Sequence, residues 1–544
     1  MKRLNQIVAL SLTSALVLAA CGKSEVPPAD APNNGSSAKP APETKEKLSL
    51  NFMIIAPANK DLLADKSQDI ILKKIQEKFN VDLKIDYISN LNDFQTKLNL
   101  RLSSGDVPDM FQSGGAESNK YIIDKITADL TKYVSPQTMP NYYKYWISET
   151  EMQRFQVQNV FMRAPILFDR EQFLSHYVRK DWIDALNKKD PSLNLKVPTN
   201  YDEFVAVARA FTFNDPDGNG KNDTYGITAA AGGAAIPKDF PAWLKHNLNP
   251  GFYVDANNQF IDSGSDIRAS AVYEDIRKLI DMKVVDPNWY LQKSPQHLDK
   301  VQQGKAGIFY STARDAVFEN APNSVQKKTR DVTGVAAEFV PFNIAPNNFM
   351  SYAALPSTPF MISAKSDEKK VKRTIEILDW LASEEGFLLT HYGVEGTHYK
   401  RDGKKIIVDA AAYKKDFTDK NGYNEIYAAV FGKISLSPLA LGLELVNSDE
   451  TDRDRKILEQ LRTYKYSDLG TNVSPVEGYD LAGFRKQLYI YQAKVLLEEK
   501  DSSNWPKYRE ELMGPKYHGK ELFEGYAQQI GAALKKDIKF KSAN

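Results

Sequence analysis

The spacing of apolar residues changes period several times along the chain, and each change marks an element. LSLNFMII at Leu48–Ile55 and the alternating V-D-L-K-I-D-Y at Val81–Tyr87 read as strands, because successive strand side chains point to opposite faces. Between them Ile70, Ile71, Ile75 and Phe79 recur at helical spacing. A second helix over about Asp93–Leu102 leads through Ser104–Asp109 to a short buried strand at Met110–Phe111. Strand–helix–strand–helix–strand with short links predicts a parallel sheet with right-handed crossovers. Ligands of such sheets sit beyond the carboxyl ends of the strands, which singles out the loops at Ala56–Asn59 and Gln112–Gly115.

Beyond this unit, Pro165–Asp169 reads as a strand leaving it. YVRKDW at Tyr177–Trp182 and VPTNYDEF at Val197–Phe204 follow, the latter opening a helix with Thr199 or Asn200 as its cap and Glu203 in its first turns. The pattern then predicts a helix over about Ser265–Met282, a helix end passing through Gly304 into a strand by Tyr310, and a strand at Val335–Phe342. A strand at Phe360–Ser363 leads into a helix whose Trp380 belongs to the core. The remainder to about Lys536 is mostly helical, with Phe484, Leu488, Tyr491 and Val495 marking a buried face.

The N-terminus follows a different rule. Lys2 and Arg3 precede an apolar run from Ile7 to Ala20 that closes on Leu18-Ala19-Ala20-Cys21. This is the pattern of an export signal, and the run is shorter than the ~20 residues of a membrane span. Cys21 is the only cysteine, so no internal disulfide is possible; its thiol is a nucleophile that can carry a lipid. From residue 22 to about 47 the chain is rich in Pro, Ala, Ser and Asn, an extended tether. With 42% hydrophobic and 26% charged residues, the remainder has ordinary globular usage, and its length calls for more than one core. Lys+Arg 71 against Asp+Glu 70 leaves no basic excess for a nucleic-acid partner.

The most chemically loaded stretch is FNDPDGNGKNDTYG at Phe213–Gly226. Asp215, Asp217 and Asn219 alternate, Gly220 permits a sharp turn, Lys221 offers its carbonyl, and Asp223 follows, as in a calcium loop. The twelfth position is Gly226, which has no carboxylate to give. The flanks do not read as a helix pair, so a structural Ca²⁺ is expected rather than a switch. Catalytic patterns do not emerge: Glu384-Glu385 and Asp202-Glu203 are adjacent pairs that diverge on helices, not carboxylates facing across a cleft, and the six histidines show no ligand spacing.

Taken in order, the signal with Cys21, SGDVPDMF at Ser104–Phe111, Asp129-Leu130, YVRKDW, VPTNYDEF, the Asp-rich loop, GKAGI at Gly304–Ile308 and the Leu378–Tyr399 stretch with Tyr392-Gly393-Val394-Glu395-Gly396 resemble the extracellular solute-binding lipoproteins of ABC importers. The alginate-binding-like group of large Gram-positive proteins is the nearest within them. The resemblance implies an α/β, two-lobed periplasmic-binding-protein-like fold of type II with hinge-linked lobes and a helical C-terminal extension. It divides the chain into a signal (1–20), an anchored linker (21–47), a first lobe (48–170 plus 345–390) and a second (171–344 plus 391–544). It further implies a monomer, acylated on Cys21 and held at the outer face of the cytoplasmic membrane. Such a protein passes an oligosaccharide to the permease's transmembrane subunits without turning it over. A peptide ligand is the alternative, and an exported carbohydrate-active enzyme a more distant one. Gln112, Trp243, Tyr310 and Glu395 are the residues expected to touch a sugar, through hydroxyl hydrogen bonds and ring stacking.

Overall fold

The computed structural model describes residues 46–57, 59–89, 91–113, 120–153, 171–248, 251–352, 360–431, 437–447, 449–467, 473 and 476–540. Cys21, the tether up to 45, the expected strand at Pro165–Asp169, and Gly114 and Gly115 lie outside the described residues.

The first sheet is four-stranded, in the order Phe360–Ile362, Met110–Gln112, Leu48–Ile55, Val81–Ile88. Leu48–Ile55 pairs in parallel with both neighbours, placing Phe52 opposite Ile85 on one side and Met110 on the other. The returning strand Phe360–Ile362 closes the edge antiparallel, Met361 opposite Phe111. Period two sorts the side chains: Phe52 and Ile54 enter a large core with the Ile70–Phe79 and Glu368–Leu381 helices, while Met53, Phe111 and Met361 join Phe94 and Leu98 on the opposite face. The Ile70–Phe79 helix starts where Asp69 accepts from the Ile71 and Leu72 amides at 3.1 and 2.8 Å, and ends at Asn80 in the left-handed region.

A second four-stranded sheet runs Tyr225–Ile227, Ala306–Ser311, Ser175–Arg179, Phe339–Phe342. Ser175–Arg179 runs antiparallel to both of its neighbours, and Tyr225–Ile227 joins Ala306–Ser311 in parallel. Val178 and Ile308 face a core shared with the Tyr201–Phe213, Ala269–Asp281, Leu481–Leu497 and Gly519–Leu534 helices. Tyr177 and Phe309 face the other way, against Ile457 and Leu461 of the Asp452–Arg462 helix. Phe484, Leu488, Tyr491 and Val495 form the buried face that their spacing predicts. Arg179 is buried: it pairs with Asp181 at 2.5 Å and lies over the Trp182 ring.

Three boundaries differ from the sequence reading, the first being that residues 345–350, assigned above to the first lobe, pack with the second core through Ala345 and Met350. The expected strand from Val335 begins only at Phe339, since the Val325–Thr333 helix runs on to Gly334 in the left-handed region. The stretch 399–443, assigned above to the second lobe, packs into the first core through Tyr399, Ile406, Phe417, Ile426, Tyr427 and Phe431. The chain therefore passes between the two cores three times: between Met152 and Tyr177, between Met350 and Phe360, and between Leu443 and Ile457.

One carboxylate ties distant segments of the first core. Asp379 accepts from the Asn141 and Tyr142 amides at 2.9 and 3.0 Å and from the Asn141 side chain at 2.8 Å. It thereby supplies the cap that Met139 cannot give to the Pro140–Tyr145 helix. Asp379→Ala strips three donors at a buried position, and the expected loss is about 2–3 kcal/mol. Urea unfolding measures it, and a midpoint unchanged from wild type would show that water replaces the carboxylate at no cost.

Candidate functional site

The two cores face each other across a cleft of about 1030 Å³. One wall comes from the first core: Tyr392 at the end of the Glu384–Tyr392 helix, Lys405, Ser437–Leu439 and the Glu444–Val446 strand. The opposite wall carries Glu171 and Phe173, which precede the Ser175–Arg179 strand. It also carries residues from Thr312 to Pro322, beyond the Ala306–Ser311 strand, and the inner face of the Asp452–Arg462 helix. The antiparallel register of Ser175 with Ser311 brings these two loops together at one edge of the second sheet. Rings stand on both walls: Tyr392 on one, Phe173 and Phe318 on the other. A separate groove of about 640 Å³ follows the Tyr201–Phe213 helix, but its walls all come from the second lobe.

The cleft's arginines are already engaged. Arg314 pairs with Glu450 at 2.5 Å and lies over the Phe318 ring. Arg462 pairs with Glu171 at 2.8 Å. Arg455 pairs with Asp452 at 2.6 Å and also donates to the Glu450 carbonyl at 2.6 Å. None of these residues was singled out by the sequence: Arg314–Glu450 and Arg462–Glu171 join segments far apart along the chain, and Arg455–Asp452 is a local pair on one helix.

The four residues expected to touch a ligand are not among those that line this cleft. Gln112 is buried: its Oε1 accepts from the Ile55 amide and its Nε2 donates to the Ala429 carbonyl, at 2.5 and 3.2 Å. It joins strand ends to the Asn424–Phe431 helix. Trp243 sits not in a loop but in the short Ala242–Lys245 helix, 3% exposed, with its indole donating to the Pro237 carbonyl and its ring edge-on to Tyr273. Glu395 is exposed and lies 3.5 Å from Arg401. Tyr310 is at the cleft edge of its strand, two residues before Thr312 of the cleft wall, and its ring lies against His176.

Tyr310 belongs to a buried polar cluster. His176 Nε2 lies 3.0 Å from the Asp239 carbonyl, and His297 Nε2 lies 3.5 Å from Asp239 Oδ1. The next residue, Lys238, donates to Ser351 Oγ at 2.9 Å. Among the described residues, Asp239 Oδ1, His297 Nδ1 and the Tyr310 hydroxyl have no hydrogen-bond partner. Burial pushes the Asp239 carboxyl up to about 7 and the His176 imidazole down to about 4, and lowers His297 and Lys238 as well.

The Asp-rich loop joins the Tyr201–Phe213 helix to the Tyr225–Ile227 strand, a helix–loop–strand unit. Asn219 donates to Asp217 and Asp223 at 2.9 and 3.1 Å, and the Gly220 amide donates to Asp215 at 3.2 Å. Gly220 has φ of 81°, which glycine adopts without strain. Asp215 Oδ1 is buried without a partner. Burial, with the negative charges of Asp223 and Asp215, raises Asp217. Lys305 takes the remaining oxygen of Asp223 at 2.7 Å. Among the described residues, no group of three or more His, Cys, Asp or Glu side chains is arranged to hold an ion. The loop's converging oxygens suit a hard cation in chemistry, while the amide and ammonium groups stand among them. Gly226 has its own reason: a Cβ there would come within 2.5 Å of the Ala208 carbonyl oxygen, so packing of strand on helix excludes a twelfth-position carboxylate.

The buried cluster makes a signed prediction. A raised Asp239 favours the folded state at low pH and loses that contribution as pH rises from about 4 to 7. A depressed His176 contributes above its ordinary value of 6.5 and loses that contribution as pH falls toward 4. The two slopes oppose each other in the wild type. Asp239→Asn removes the opposing carboxylate slope, so its Tm rises more steeply than wild type between pH 4.5 and 6.5, by the equivalent of at most roughly 2–3 kcal/mol over those two pH units. Superimposable Tm profiles would show that Asp239 titrates as an ordinary carboxylate.

Residues 61–386 match the family described as bacterial extracellular solute-binding protein. Two curated relatives are informative. The polygalacturonan/rhamnogalacturonan-binding protein YtcQ of Bacillus subtilis is 24% identical over 417 residues, 76% of this chain and 77% of YtcQ. The fructooligosaccharide ABC transporter substrate-binding protein FusA of Streptococcus pneumoniae is 24% identical over 343 residues, 57% of this chain and 58% of FusA. An EF-hand mutant of FusA in complex with fructo-nystose superposes with a TM-score of 0.56 at 15% identity, covering 90% of this chain and 98% of that one. An HMO-binding solute-binding protein of Bifidobacterium longum infantis superposes with a TM-score of 0.64 at 17% identity, covering 91% and 99%. The fold is thus the mixed α/β, two-lobed architecture of these structures. With more than half of its length matched, the chain belongs to the family of bacterial extracellular solute-binding proteins.

Proposed function

We propose that this protein binds an oligosaccharide in the cleft between its lobes and hands it unchanged to the transmembrane subunits of an ABC importer. The observation that carries the reading is the cleft itself, walled by Tyr392 on one side and Phe173 and Phe318 on the other, with polar groups between them. Flat rings suit the C–H faces of sugars, and carboxylates and amides suit their hydroxyls. YtcQ and FusA, by their names a polysaccharide and an oligosaccharide binder, support the ligand class. The basic, apolar and small-residue sequence ending on Cys21 supports anchoring by acyl chains at the outer face of the cytoplasmic membrane, where two chains suffice for stable attachment. The lobes we assign are 48–153 plus 360–447, and 171–352 plus 449–540.

The Asp215, Asp217, Asn219, Lys221 and Asp223 loop is proposed to take a structural Ca²⁺. The unpartnered Oδ1 of Asp215 and the alternating oxygens support this. FusA, whose EF-hand was the target of a mutant, adds support.

A thermal-shift screen of oligosaccharides beside peptides, with the mixtures checked for product, tests the ligand. A glycan at 100 times its Kd should add roughly 2.7 kcal/mol of stability, and Tyr392→Ala should weaken it about 5–10-fold, the worth of one stacked ring. Peptide hits alone would replace the ligand class, and released product would make the protein an enzyme. For the ion, chelator treatment is expected to lower Tm, with Ca²⁺ restoring it. An unchanged Tm with no metal by elemental analysis would leave the loop a turn.

A further inference from the structure

The charges lining the cleft go further than the ligand class. Among the described residues its walls carry four cations, Arg314, Lys405, Arg455 and Arg462, against six carboxylates. Glu450 and Glu171, which hold Arg314 and Arg462, have side chains only 8% and 10% exposed. Drawing either arginine onto a ligand carboxylate would leave a nearly buried glutamate uncompensated, and such a separation is strongly unfavourable. Arg455 is held by Asp452 and by the Glu450 carbonyl. Lys405, the remaining cation, stands directly across the sheet register from Glu444. Asp315, Asp449 and Glu459 meanwhile face the same space with no ion pair among the described residues.

From this we infer that the ligand is an uncharged oligosaccharide and that the cleft discriminates against polyuronates. The inference rests on the glycan reading above and narrows it. A chain of uronate units would meet repulsion from the unpaired carboxylates, and among the described residues two of the three cleft arginines, Arg314 and Arg462, could turn to it only by stripping a nearly buried partner. A neutral sugar meets the opposite situation: its hydroxyls donate to the carboxylates that no cation occupies, and hydrogen bonds to ionised acceptors are the stronger kind. YtcQ is described as binding polygalacturonan, so the inference separates this chain from a relative of comparable length.

Calorimetry on the full soluble chain with length-matched neutral oligosaccharides (fructo-, manno-, xylo- and gluco-) and with oligogalacturonate and alginate oligomers tests it. The expected result is binding by a neutral series only, with Kd changing less than about twofold between 20 and 300 mM salt, because no charge pair forms. Asp315→Asn and Glu459→Gln, checked for an unchanged melting profile, should each weaken that ligand about 5–10-fold, the loss of a charged acceptor. Uronate binding that weakens with salt would overturn the inference while leaving the glycan reading intact. Peptide binding with no glycan bound would overturn both. A panel in which no neutral glycan binds overturns the inference whatever else is found.

Discussion

Each lobe depends on a strand or helix that arrives from elsewhere in the chain. The first sheet would end at Met110–Gln112 with an open edge were it not for Phe360–Ile362, which pairs antiparallel to it and brings the Glu368–Leu381 helix onto the core. Edge strands are templates for wrong pairing and are kept short in natural sheets; the three-residue Phe360–Ile362 is the edge on this side. The second sheet has a comparable debt to the Asp452–Arg462 helix, which covers the face formed by Tyr177 and Phe309. Asp454, fully buried in that helix, accepts from the Glu319 amide at 3.1 Å and from the Thr451 amide at 3.1 Å, so the same element that closes the core also fixes the loop carrying Phe318.

The cleft follows from that arrangement. Its walls are made where the returning segments meet the sheet edges, so its residues come from five separated stretches and share no local motif. Arg314 illustrates the coupling. It spans between the Phe318 ring and the Glu450 carboxylate, which precedes the covering helix. A charged side chain here serves to order two loops, and its pairing decides what electrostatic face remains for a ligand.

How much of this was readable in the sequence depends on the range of the interaction. Leu48–Ile55 and Val81–Ile88 were legible because a strand's period is local, and the Ile70–Phe79 helix because its apolar stripe and its Asp69 cap lie within a few residues. Trp243 was misplaced because a tryptophan in a Pro-flanked stretch looks exposed until Tyr273 and the Pro237 carbonyl enclose it. Gln112 lies at the strand end that βα logic singles out, yet its amide is consumed by Ile55 and Ala429, the latter from a helix far along the chain. Gly226 was read only as a missing ion ligand. Its close approach to Ala208 is a demand of packing that an ion-loop pattern cannot express.

The three passages of the chain between the cores have a mechanical consequence. Two bodies joined by one connection can turn about any axis through it, and two connections still leave rotation about the line between them. A third connection off that line removes free rotation and leaves only those displacements that all three allow together. The covalent topology therefore confines the lobes to the relative displacements that all three connections allow together. Part of what limits the relative placement of the two walls is thus set by connectivity, before any side-chain contact across the cleft.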